Sequence, residues 1–426
     1  MIRALHGELG FLNKPKLQVA RNLYLPASLH ESVYFSDHLF VVNNNRTSIL
    51  GGGIAFDKDQ ACIAALGEYV ERYASSFQTK DTLIKGSYAE LADKYSCYPP
   101  NRIAYFSGEQ YNDPQFALKR LTSTCTTHWI QSENYITHEK ILLPFFMVNV
   151  ENVQGDGLYH KNTSTGTACH TSITTAVEGG LLECIERDAF AKFWYFQRQI
   201  KYKKYSPNFI LYQFKTDTNI RHLFDNKRVK IVTYDISDYA FCPTFVVFIL
   251  FKKRGKIYQS VGAASRLNKR EALIKAAIEA YQGIEYTEFA CERFRSTLSR
   301  EKIGAFDFSE IDSFKKHYAL YNLYPELAHY VPILTSVLGE EDYSTTWQEQ
   351  HDHHLLNLTS KELVRKGIQD VYVTRLSTVD TLQLGFEVIK VIMPQLNLLT
   401  GDFNYPYLGL FDPNEDLFTD FPHPFP

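Results

Sequence analysis

The chain has 426 residues, 45% of them hydrophobic and 22% charged, an ordinary globular balance that excludes a mainly disordered polypeptide. Lys+Arg 45 against Asp+Glu 48 leaves a formal net charge of −3, so no global basic field recruits nucleic acid or an anionic membrane. The cysteines (Cys62, Cys97, Cys125, Cys169, Cys184, Cys242, Cys291) are scattered without a C-x-x-C pair, which argues against a zinc ribbon or disulfide framework and for the cytoplasm.

In chain order, the N-terminal MIRALHGELGFLNKPK lacks the apolar stretch of a signal peptide. Strand-like runs rich in β-branched and aromatic residues follow: LFVV (39–42), ILLPFFMVNV (141–150), VKIVTYDI (229–236), TFVVFILF (244–251), DVYVTRLS (370–377) and FEVIKVIMP (386–394). The longest apolar run, Phe241 to Phe251, contains Pro243 and is too short to cross a bilayer, so it reads as a buried strand. Helical patterns lie between these runs, which predicts a mixed α/β or α+β fold with helices packed on sheets. The last stretch, DFNYPYLGLFDPNEDLFTDFPHPFP, reads as an extended tail held down by its aromatics. The expected organisation is one catalytic unit over 1–400, with an N-terminal extension, and a tail over 401–426.

The most informative feature is an internal near-repeat. GGGIAFDKDQACIAALGEYVERY, GTACHTSITTAVEGGLLECIERD and GAASRLNKREALIKAAIEAYQG each begin with small residues, read here as a flexible loop. Each then offers a helix N-cap: Asp57, Ser172 and Asn268. Asp57 with Gln60 and Asn268 with Glu271 fit the reciprocal capping box, whereas Ser172 caps alone. An alanine comes four positions after each cap (Ala61, Ala176, Ala272) and a glutamate eleven positions after it (Glu68, Glu183, Glu279). A second long polar residue lies three further on: Glu71, Glu186 and Gln282. That spacing puts both groups of a pair on one helix face.

Like-charged carboxylates gather in a cleft only with compensation, and hard oxygen ligands favour Mg²⁺. Two ExxE pairs and an ExxQ pair therefore read as a Mg–nucleotide site, with Arg72 and Arg187 neutralising phosphate charge. The small-residue loops would bring backbone N–H groups to a triphosphate. A single ExxER would be an ordinary solvated helix face, but three copies with matched offsets argue for a site. The chain contains no Walker A pattern, so an ATP enzyme of this sequence belongs to a less common class.

These residues resemble the YcaO superfamily, and within it the D-protein branch that forms azolines in ribosomally made peptides such as thiazole/oxazole-modified microcins and bacteriocins. AALGEYVERY is similar to the family's S-x-x-E-x-x-E-R motif, with Ala65 in place of serine. TSTGTACHTSITTAVEGGLLECIERDAFAKFWY is similar to the central block, with Thr165 for an asparagine and Thr175 for an acid. IEAYQG resembles the third motif, and the ending Pro422-x-Pro424-x-Pro426 the PxPxP terminus of azoline-forming members. The family's Gly-Lys-Gly loop stands here as Gly53-Ile54-Ala55, one basic group fewer.

The resemblance implies an ATP-dependent cyclodehydratase. A Cys, Ser or Thr side chain of a precursor peptide attacks the preceding carbonyl, ATP phosphorylates the resulting oxygen, and loss of phosphate leaves a thiazoline or oxazoline. It implies Mg²⁺ on Glu68, Glu71, Glu183 and Glu186, and ATP bound by these with Arg72, Arg187, Glu279 and Gln282. Arg187 and the terminal carboxylate of Pro426 take the catalytic roles, the latter as proton acceptor. Implied partners are the precursor peptide, an E1-like leader-binding C protein and an FMN-dependent dehydrogenase, with a homodimer also admissible and no role for nucleic acid or membrane. Relatives that use sulfide or an amine to make thioamides or amidines are the competing enzymes, and a non-catalytic docking scaffold the competing binding protein. His351-Asp352-His353-His354, Cys169-His170 and Phe193-Trp194-Tyr195 are weaker candidates for a metal cluster, a thiol nucleophile and a stacking platform; the last reads better as core.

Overall fold

The computed structural model describes residues 22–35, 40–42, 45–47, 49–76, 82–150, 156–161, 163–195, 201–347, 354–355, 357–411, 419 and 421–425. Strands β1 (His30–Phe35) and β2 (Leu50–Ala55) pair antiparallel, and helix α1 (Lys58–Ser76) packs back on both. Next come β3 (Ile84–Gly86), β4 (Thr127–Asn134), β5 (Lys140–Pro144) and β6 (Thr167–His170), the last leading into α2 (Ile173–Tyr195). A four-stranded antiparallel sheet holds β7 (Lys203–Tyr205), β8 (Val229–Asp235), β9 (Thr244–Lys253) and β10 (Lys256–Ser265) side by side in chain order. Its last strand runs into α3 (Lys269–Phe294). Finally β11 (Tyr372–Arg375) and β12 (Glu387–Ile392) complete a larger sheet of order β3-β4-β11-β12-β6, with β5 added on β4. Antiparallel sheets carrying helices make this the α+β class expected from the sequence.

The repeat is therefore strand, cap, helix. Asp57 accepts the N–H of Gln60 at 2.9 Å, Ser172 that of Thr175 at 3.5 Å, and Asn268 those of Arg270 (2.9 Å) and Glu271 (3.3 Å). The small-residue segments read as flexible loops are the ends of β2 and β10 and the start of β6, so that expectation is corrected. The cause is close packing. A Cβ on Gly51 or Gly53 would collide with the carbonyls of Ala65 or Ala61 in α1, so only glycine lets the strand lie flat on its own helix.

The run 141–150 is not one strand either: β5 stops at Pro144 and a 3₁₀ turn, Phe145–Met147, follows, since proline gives the ladder no N–H. Three hydrophobic clusters form the main cores, one around each long helix. Phe193 and Trp194 in α2 have no accessible surface and Tyr195 is buried, which settles that run as core. Among the described residues, no helix is long and apolar enough to cross a membrane.

Candidate active site

The matched caps and strands give α1, α2 and α3 the same starting point, and their polar pairs meet. On α1, Glu68 accepts the N–H of Gly52 at 2.5 Å and pairs with Arg72 at 2.5 Å; Arg72 also donates to the Leu50 carbonyl at 2.8 Å. On α2, Glu183 accepts the N–H of Gly166 at 3.0 Å and pairs with Arg187 at 3.3 Å. Glu186 lies 3.4 Å from the N–H of Ser265, at the end of β10. An N–H from β2, one from Gly166 just before β6 and one from β10 thus each face an acid. On α3, Glu279 pairs with Lys275 at 3.1 Å, and the Gln282 amide lies against the bare backbone of Gly52, where a side chain would strike it.

Electrostatics shows that the pairs form one group. Burial, then the charges of Glu183 and Glu68, hold the Glu71 carboxyl well above the ordinary carboxylate range, against the smaller pull of Arg72 and Lys390. Burial also raises Glu186 to about 8, with Arg187 pulling it back and Glu279 and Glu183 pushing it further. Acids from three helices therefore crowd one another in a partly dry place. Arg187 sits among them: its Nη1 is 3.1 Å from Glu186 but off the line of a hydrogen bond, which leaves a buried N–H without an acceptor.

The acids, Arg72, Arg187 and Gln282 all fall within this group, while Pro426 lies outside the described residues. The tail leading to it is docked. Phe425 is buried, its ring 4.7 Å from that of Phe190, with the Arg187 guanidinium 4.3 Å over it. His423 stacks on His317 with centroids 4.0 Å apart and reaches the Thr400 carbonyl at 2.8 Å. Tyr321 donates to the Pro422 carbonyl at 2.5 Å and Trp194 to that of Phe421 at 2.9 Å.

The family-specific departures fall in different places. Ile54 is buried in the α3 core, and Thr175 is exposed on the first turn of α2. Thr165 is buried and bonded to Thr163 at 2.9 Å. Of the weaker candidates, His351 to His353 lie outside the described residues, and His354 is buried against the Ser237 carbonyl at 3.2 Å. Burial and the charge of Glu71 push the Cys169 thiol up, the reverse of an activated nucleophile, and His170 accepts the Ser172 N–H at 3.0 Å.

Sequence reasoning missed Lys390. It is buried on β12, donates to the Thr163 carbonyl at 2.6 Å, and faces Glu183 and Glu71; burial lowers it to about 8. The available signal was one lysine inside the apolar run FEVIKVIMP.

The donors suit a hard divalent cation with a phosphate chain: carboxylate oxygens that repel one another, and a buried arginine N–H without an acceptor. Among the described residues, no three His, Cys, Asp or Glu side chains stand together at metal-binding separation; Arg72 pairs with Glu68, and Arg187 with Glu183 and Glu186.

The family model described as YcaO cyclodehydratase, ATP- and Mg²⁺-binding, matches residues 52–397. No curated protein matches the chain. Among solved structures, a heterocyclase in complex with substrate and cofactor is 16% identical with a TM-score of 0.66, over 91% of this chain and 50% of that one. This chain thus spans about half the length of that heterocyclase. The E. coli microcin synthetase McbBCD complex with pro-MccB17 bound contains a chain 16% identical, TM-score 0.61, covered over 96% of each. The YcaO protein of Methanopyrus kandleri, bound with AMPPCP and Mg²⁺, is 14% identical with a TM-score of 0.55, over 90% of this chain and 85% of that one. At these identities the likeness speaks for the fold.

Proposed function

Because the chain belongs to the YcaO family, we propose that it is an ATP-dependent cyclodehydratase that converts Cys, Ser or Thr residues of a ribosomally made precursor peptide into thiazolines or oxazolines. The carrying observation is the meeting of Glu68, Glu71, Glu183, Glu186 and Glu279 in one group, with Arg187 beside Glu183, Glu186 and Glu279 and its guanidinium face covered by the docked tail. Glu68, Glu71, Glu183 and Glu186 are the residues that would hold Mg²⁺, with Arg72, Glu279 and Gln282 completing the ATP pocket. Mg²⁺–ATP supplies the phosphoryl group that turns the amide oxygen into a leaving group.

The chain's own contribution is positioning and charge, which phosphoryl transfer mainly requires. The backbone N–H groups of Gly52, Gly166 and Ser265 fix Glu68, Glu183 and Glu186, while the unspent Arg187 N–H is a donor ready for a phosphoryl oxygen. The described tail ends at the buried Phe425 beside Arg187, and this docking supports a role for the Pro426 carboxylate as proton acceptor. The Pro422-x-Pro424-x-Pro426 ending, similar to that of azoline-forming relatives, favours azoline formation over the thioamide and amidine reactions.

The predicted partners are the precursor peptide and an E1-like C protein that binds its leader, with an FMN-dependent dehydrogenase downstream. Incubation with ATP, Mg²⁺, the C protein and a short Cys/Ser/Thr-rich peptide encoded beside the gene should remove one water per modified residue, read by mass spectrometry. Ring formation without ATP, or complex assembly with no turnover, overturns this assignment.

A further inference from the structure

Lys390 is buried in β12, where the run FEVIKVIMP otherwise places apolar side chains. Its Nζ donates to the Thr163 carbonyl at 2.6 Å and to Thr167 Oγ1 at 3.4 Å. Both partners are neutral oxygens, and the carboxylates whose charge it feels, Glu183 and Glu71, stand further off. Burying an ammonium costs desolvation, so a lysine at this position has to hold something that an apolar side chain could not.

What it holds is a turn. The Thr167 N–H donates to the Ser164 carbonyl at 2.8 Å, and Gly166 sits inside that closure with a φ of +83°, which favours glycine. Within the turn, Thr163 Oγ1 accepts the Thr165 N–H at 3.2 Å and bonds its hydroxyl at 2.9 Å. Strand β12 grips this segment twice. Lys390, in register with Thr167, spans from Thr163 to Thr167, and the Val391 N–H donates to the Gly166 carbonyl at 2.8 Å. The turn in its place presents the Gly166 N–H, which donates to Glu183 at 3.0 Å. From the buried ammonium to an acid of the site the path is thus one short turn.

We infer that Lys390 is a positioning residue for the site: it latches the Thr163–Thr167 turn so that the Gly166 N–H fixes the Glu183 carboxylate, and its charge offsets the repulsion between Glu183 and Glu71. The identity of what Glu183 then holds rests on the cyclodehydratase reading; the placement of Glu183 does not.

Crystals of full-length Lys390→Met decide the placement. The Glu183 carboxylate should leave the Gly166 N–H, beyond about 3.5 Å. Thr163→Val keeps the side-chain shape and breaks only the bond inside the turn, so it should displace the same carboxylate even where Lys390→Met does not fold. Glu183 still bonded to Gly166 in either variant overturns the latch. Calorimetry with Mg²⁺–ATP supplies the second reading. Lys390→Met should bind about tenfold more weakly than wild type, and Glu183→Gln combined with Lys390→Met should stay within about twofold of Glu183→Gln alone, since residues that act through one another are not additive. Losses that multiply would make Lys390 a merely structural lysine and overturn the inference. A wild type that binds no Mg²⁺–ATP counts against the cyclodehydratase reading, while the crystals still decide the latch.

Discussion

The chain carries the pattern E-x-x-E-R twice, on α1 and on α2, and the two copies live in different surroundings. In the first, Arg72 is half exposed, with Glu68 and the Leu50 carbonyl as partners. In the second, the Arg187 side chain is 18% exposed, held edge-on by Glu183 and Glu186 and covered face-on by Phe425. An exposed ion pair contributes ~0–1 kcal/mol, whereas removing one member of a buried charged group costs ~3–5 kcal/mol. Identical local sequence therefore gives one arginine in a screened position and one fixed where its charge is strongly felt. What surrounds the motif, including a tail far away in sequence, decides which.

Four measurements would break or sharpen that contrast. The largest effect is expected from Glu186→Gln, which removes a buried carboxylate at the centre of the group: azoline formation should fall at least ~100-fold, about 2.7 kcal/mol of lost transition-state stabilisation. Mass spectrometry of the product checks it, and activity above a tenth of wild type would mean that the acids are only structural. Next, Arg187→Met should cost ~100-fold and Arg72→Met less than ~10-fold under the same conditions, in line with buried against exposed charge. Equal losses would erase the contrast. Third, removing residues 421–426 should abolish ring formation while ATP affinity changes less than ~3-fold, since an undocked tail leaves the acids in place. A parallel loss of ATP binding would make the tail part of the nucleotide pocket.

The smallest effect concerns pH. Burial lowers His423 to about 4 and holds His317, on the helix beneath it, well below its usual value, so both are neutral while the tail is docked. For a group depressed on folding, the stabilisation is full above the unfolded value near 6.5 and lost as pH falls toward 4, at ~1.4 kcal/mol per unit. Trp194 donates to the tail at Phe421, so its fluorescence should report undocking across that window, and His423→Phe should weaken the pH dependence by removing one of the two depressed histidines. A flat profile in the wild type would contradict neutral docking.

Much of the site was legible because helix grammar is local: a cap fixes where a helix starts, and 3.6 residues per turn then fix which face an acid takes. Asp57, Ser172 and Asn268 cap the three helices as expected, and the offsets from them bring Glu68, Glu183 and Glu279 into one group. The strands before them were not legible, because LGGGIA and TACH have poor strand propensity and become strands through contact with a helix that comes later in the chain. Nor was Lys390, since its neighbours Glu71 and Glu183 arrive through sheet pairing between β12 and β6 over a long sequence separation. The tail's docking was anticipated from its aromatics, but its partners His317 and Tyr321 came from an intervening helix (Phe314–Leu323) with no sequence mark of that role.

Two of the N–H groups that face the acids, Gly52 in β2 and Ser265 in β10, tie strand register to the site. Moving a strand by one residue turns every side chain to the opposite face and carries the corresponding N–H away from its acid. A chain misregistered in β2 or β10 would then leave Glu68 or Glu186 among repelling carboxylates with no backbone donor beside it, at a cost of ~1–3 kcal/mol for each orphaned group. The same bonds that arrange the acids penalise wrong register, so assembly of the site proofreads the fold.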